Sequence, residues 1–207
     1  MSEPISSENM ELLEKSNQKL NSWFHRHSTD VDPIYQSYSK PQDRNRMKIP
    51  YNLVRMYTNG YVLHGLKQGT SEIHPLRLHF IKLTVGAGVE LLSCAIQSMN
   101  YQLTLKYSID YSDSSLGAAI KYLLHACRVA YHHLDCNEII GILEKAHEMF
   151  TNANLDSKAR ELSSALEQLA QTIAVPLVFE SSACPSDTDT ISEYNSWDTP
   201  DWLASFE

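Results

Sequence analysis

From Tyr51 to Ala174 apolar residues recur every three or four positions almost without interruption, and this periodicity confines the chain to an all-α fold. Leu53, Met56/Tyr57, Tyr61 and Leu63/His64 predict a first helix that ends near Gly65 or Gly69. Pro75 suits the opening turn of the next helix, where its missing N–H costs nothing. That helix is expected to run to about Met99. Few polar residues interrupt Leu76, Leu78, Phe80, Ile81, Leu83, Val85, Val89, Leu91, Leu92 and Ile96, so it should be the central helix, buried on most sides. Gly86 and Gly88 within it would let a neighbour approach closely. No run of 18 uninterrupted apolar residues occurs, so a membrane span is not expected.

The segment Tyr101–Ser115 alternates apolar and polar residues, but a lone strand would have no partner. It is expected to be a helix tail followed by a loop. Ser114 or Ser115 should then cap a helix from Leu116 to about His133, with Ile120, Leu123/Leu124, Cys127 and Ala130/Tyr131 inward. Asp135 and Glu138 form a capping-box pattern that opens a helix to about Phe150. Asn154 or Asp156 starts a last helix, ended by Pro176. The short connections around Asp135 and Asn152 require antiparallel neighbours. The expected fold is an antiparallel bundle of about five helices over residues 51–175. The 34-residue tetratricopeptide signature is not present.

Residues 1–27 carry Leu12/Leu13, Leu20 and Trp23/Phe24 at helical spacing, on a stripe so narrow that a separate, partly detached amphipathic helix is expected. Residues 28–50, with Pro33, Pro41 and Pro50, predict an extended linker in which Tyr35 and Tyr38 are docking points. Residues 176–207 predict a disordered acidic-aromatic tail.

Charge sharpens the reading of that tail. The chain has 25 acidic and 17 basic residues, a net charge of −8, and Glu180–Glu207 contributes seven acids and no base. Large aromatics kept in such a polar segment point to recognition of another molecule. The expected partner-binding residues are Tyr194, Trp197, Asp198, Asp201, Trp202, Leu203 and Phe206. On a helix induced by a partner, Trp202, Leu203 and Phe206 would share one face. In composition the segment resembles transcriptional activation domains. Ser186 and Thr190, each three residues before an acid, and Thr199, before Pro200, are expected phosphorylation sites that would add charge.

Residues 40–82 hold eight bases against two acids. Lys40, Arg44, Arg46, Lys48 and Arg55 are therefore candidate contacts for nucleic acid or for an acidic protein, with Tyr35, Tyr38, Tyr51 and Tyr57 available for stacking. An overall pI of 5.6 is below the profile of a nucleic-acid-binding domain, which ranks that reading second.

Catalytic chemistry is not expected. His125 and His132 are seven residues apart, which on a helix separates them by about 10.5 Å, too far for one ion. Zinc at His133 and Cys136 would need a residue such as His147 from another helix. Neither Cys127 nor Cys136 has a nucleophile signature, and Gly86–Gly88 lacks the strand–turn–helix context of a phosphate loop. No cofactor or metal is expected. The unpaired spacing of Cys94, Cys127, Cys136 and Cys184 suggests free thiols in the cytoplasm or nucleus. The N-terminus lacks the order of a secretory signal. The chain is thus expected to be a noncatalytic adaptor with one or more protein partners, most concretely a transcriptional or co-regulatory factor. A nucleic-acid-associated viral or ribonucleoprotein accessory role is the alternative, and self-association is a further expectation.

Overall fold

A computed structural model describes residues 6–29, 44–98, 101–102, 105 and 111–174. They lie in one compact unit, Met1–Val175. Their regular structure is helical throughout: α1 (Ser7–Thr29), α2 (Arg44–Gly60), α3 (Pro75–Gln97), α4 (Tyr111–Ala130), α5 (Cys136–Asn152) and α6 (Asp156–Ala174), with single 3-10 turns at Tyr61–Leu63 and Tyr131–His133. The all-α expectation holds.

Local chemistry explains several boundaries. His74 Nδ1 accepts from the Leu76 N–H at 3.3 Å, with Pro75 in the first turn of α3 as expected. Asp135 Oδ1 accepts from the N–H groups of Asn137 and Glu138 at 3.1 and 3.2 Å, which caps α5. Between α5 and α6 the chain turns through Asn154 at φ 58°, a left-handed conformation that asparagine tolerates.

Three expectations need correction. The extended linker was expected through residue 50, yet α2 begins at Arg44 and carries Pro50 inside it. Proline in a helix interior costs about 3 kcal/mol. Burial of Ile49, 5% exposed within the main core, and the Lys48–Glu90 pair help to offset that cost. Next, α1 is not detached. Met10 and Leu13 are buried with Val62, Leu63, Leu66, Phe80 and Ile81 in a second apolar cluster. Finally, α4 starts at Tyr111, so Ser114 and Ser115 are internal rather than capping; Ser115 is buried, with Oγ 3.2 Å from Tyr101 Oη.

Cross-contacts give the helix directions. Asn17 meets Asn59 while Asn21 meets Tyr51, so α1 and α2 run antiparallel. Lys48 meets Glu90 while Arg77 reaches the Val62 carbonyl, so α3 runs back along α2. The main core joins Met56, Leu91, Leu92, Leu116, Leu123, Ile139, Leu143, Phe150, Leu162 and Leu169 from α2 through α6. Helix α3 packs against α2, α4 and α5, and α4 against α2, α3, α5 and α6, so the two share the central role. In length and composition α3 could cross a membrane, and half of its most apolar window is buried inside the protein, the pattern of a core helix.

Candidate functional site

The expected partner-binding residues Tyr194, Trp197, Asp198, Asp201, Trp202, Leu203 and Phe206 lie outside the described residues, as does Lys40. Arg44 and Arg46 fall in the first turn of α2. Lys48 and Arg55 are the two candidates that the fold brings to one place.

That place is a groove of about 260 Å³ where α1, α2 and α3 meet. Helix α2 supplies Lys48, Tyr51, Asn52 and Arg55, at i, i+3, i+4 and i+7 on a single face. Helix α1 adds Phe24, and α3 adds Gly86 and Glu90. The aromatic wall is fixed: Phe24 stacks on Tyr51 with ring centroids 4.1 Å apart, and Tyr51 Oη donates to Asn21 Oδ1 at 2.6 Å. Gly86 is exposed at the edge of the groove, and a Cβ there would meet nothing within 4 Å, so the glycine leaves that edge open.

The polar groups differ in how well they are satisfied. Lys48 Nζ lies 3.4 Å from Glu90 Oε1, with both side chains about half exposed. Such a pair contributes about 0–1 kcal/mol. Arg55 Nε, in contrast, is buried without a hydrogen-bond partner. Asn52, on the same face of α2, is only 2% exposed. Groups withdrawn from water and left without a protein partner are what a ligand can satisfy. Beside the groove, the Cys94 thiol is pushed up by burial and by the Glu90 carboxylate, against a smaller opposing effect of Lys48.

Arg77, another base of the 40–82 block, is structural. It is 6% exposed, and its Nε donates to the Val62 carbonyl at 2.8 Å while Nη2 donates to that of His64. Burial lowers its guanidinium pKa.

The histidine and cysteine segment assembles differently from a metal centre. Among the described residues no group of three or more His, Cys, Asp or Glu side chains converges on a common point. Cys127 and Cys136 instead share a thiol–thiol hydrogen bond, which together with burial raises the Cys127 pKa, and which lowers that of Cys136 against the opposing effects of burial and Asp135. A shallower groove between α5 and α6 is lined by His147, Thr151, Asp156, Arg160 and Ser163. There the Thr151 hydroxyl and Arg160 Nε donate to the backbone carbonyls of His147 and Asp156.

The sequence reading missed Asn52, Phe24, Gly86 and Glu90 as site residues. The i, i+3, i+4, i+7 spacing of Lys48, Tyr51, Asn52 and Arg55 was available as a signal. Phe24, Gly86 and Glu90 come from other helices, and no local pattern marks them. Comparison with known protein families, with curated proteins and with solved structures finds no match to this chain.

Proposed function

We propose that the chain is a noncatalytic adaptor that binds other proteins, with its acidic-aromatic C-terminal segment as one recognition element, most concretely in transcriptional or co-regulatory assembly. One observation carries this reading: Glu180–Glu207 holds seven acids, no base, and Tyr194, Trp197, Trp202 and Phe206. Charge repulsion disfavours collapse of such a segment onto itself, while its aromatics supply the apolar area that an interface needs. Internal use of two bases in the 40–82 block, Arg77 in backbone hydrogen bonds and Lys48 in its pair with Glu90, leaves less charge for a phosphate backbone. This favours a protein partner over nucleic acid.

The test fuses residues 180–207 to a heterologous DNA-binding module and measures reporter output. Activation is expected, with loss in the Trp197→Ala/Trp202→Ala double variant. A silent wild-type fusion removes the transcriptional version. Should the partners retained by a 1–179 truncation match those of the full chain, the tail has no recognition role.

A further inference from the structure

We propose that the groove between α1, α2 and α3 binds a carboxylate borne on an apolar or aromatic group, with Arg55 and Asn52 as the groups that recognise it. This inference does not rest on the role proposed for the C-terminal segment.

Charge selects the class of ligand. Lys48 and Glu90 lie 3.4 Å apart and largely cancel, which leaves the Arg55 guanidinium as the groove's net charge. A single negative charge completes the balance. A phosphate dianion would exceed it and face the Glu90 carboxylate at the same mouth.

Hydrogen bonding selects the same class. A guanidinium presents its N–H donors as a planar fork that matches the two oxygens of a carboxylate. Folding has already removed Arg55 Nε from water without giving it a partner. Ligand pairing there therefore recovers a desolvation cost already incurred, which an exposed arginine would first have to meet. The Asn52 amide, one turn earlier on α2, is buried at the same groove and adds a second donor.

The apolar part of the ligand follows from the walls. The Phe24–Tyr51 stack offers an aromatic surface, and Gly86 leaves space opposite the polar stripe. A volume of about 260 Å³ is smaller than the roughly 300–1,000 Å³ of drug-sized sites. It suits one small acid or one acidic side chain with an apolar neighbour. Two sources share that chemistry: a free organic acid, or an Asp or Glu presented beside an aromatic residue in a peptide.

The experiment titrates the full chain by calorimetry with four probes: phenylacetate, N-acetyl-Phe-Asp-amide, uncharged phenylacetamide and inorganic phosphate. Saturable binding of phenylacetate or the dipeptide is expected with Kd in the region of about 1 mM. Phenylacetamide and phosphate should bind at least about tenfold more weakly. Arg55→Gln should weaken carboxylate binding about tenfold or more. Gly86→Leu, which keeps the arginine and adds bulk at the open edge of the groove, should weaken binding of both carboxylates while leaving the circular dichroism spectrum unchanged. The tighter of the two carboxylate probes identifies the source as peptide or free acid. The proposal is overturned if neither carboxylate saturates, if phosphate binds more tightly than both, or if folded Arg55→Gln and Gly86→Leu bind them as well as wild type.

Discussion

Asn17 and Asn59 bond to each other twice across the seam of α1 and α2: Asn17 Nδ2 donates to Asn59 Oδ1 at 2.7 Å, and Asn59 Nδ2 donates to Asn17 Oδ1 at 2.9 Å. The second hydrogen of each amide goes to its own helix, to the carbonyls of Leu13 and Arg55. Both residues are buried, and all four amide hydrogens are used. The pair sets the register of α1, and it places Asn21 one turn and Phe24 two turns along, both against Tyr51.

Removing one member strands the other in a dry seam. Asn17→Ala or Asn59→Ala should each destabilise the fold by about 1–3 kcal/mol, the cost of an unsatisfied buried amide. The double variant Asn17→Ala/Asn59→Ala should lose less than the sum of the two single changes. Urea denaturation read as a double-mutant cycle checks this. Additive losses would show that the two amides are not coupled.

The glycines make opposite predictions according to what surrounds them. A Cβ at Gly60 would lie 2.2 Å from Tyr122 Cε1, and that ring packs edge-on against Tyr57 at 5.7 Å. Gly60→Ala should therefore cost about 1–3 kcal/mol through overpacking. The loss should shrink in a Tyr122→Leu background. Gly86→Ala meets no neighbour within 4 Å and should gain about 0.5–1 kcal/mol from helix propensity. Thermal unfolding of the variants separates the two outcomes.

How much of this was visible in the sequence depends on what carried each feature. Apolar spacing marked α3 through α6, and Asp135 was found as a cap because its chemistry is local. The start of α2 was hidden by Pro50, whose local cost is opposed by Ile49 burial and the Lys48–Glu90 pair, both of them tertiary. Docking of α1 was hidden because part of its seam is the polar Asn17–Asn59 pair, which a search for apolar stripes passes over. Of the groove, only the α2 stripe left a trace in spacing. Phe24 and Gly86 reach it through helix packing, which no short window contains.

His125 gives the fold a pH dependence of definite sign. Burial holds its imidazole below the ordinary histidine value of about 6.5, with Arg128 and His64 acting in the same direction and a backbone hydrogen bond at Leu63 opposing them. The neutral ring is the folded form. Above about pH 6.5 both folded and unfolded chains keep it neutral, and the stability is fully present. As pH falls below that value the unfolded chain takes up the proton first, and stability is lost until the folded value is reached. Denaturation midpoints at pH 7.5 and 5.5 should therefore show a smaller drop for His125→Gln than for wild type. Equal drops would remove His125 as the cause.

The two thiols on either side of the Tyr131–His133 turn should differ in reactivity. Cys127 is fully buried on α4, and its hydrogen bond with Cys136, together with burial, holds its proton tightly. Cys136 is partly exposed at the start of α5, and the same hydrogen bond lowers its pKa, against smaller opposing effects of burial and Asp135. Thiolate is the reactive species, so Cys136 should be labelled before Cys127. A Cys184→Ser background removes the thiol of the C-terminal segment from the measurement. In that background, native labelling at pH 7.5 followed by peptide mass analysis should place the first adduct on Cys136. Cys127→Ala should slow that labelling, because it removes the donor that stabilises the Cys136 thiolate. Unchanged kinetics in Cys127→Ala would mean that exposure alone governs the Cys136 thiol.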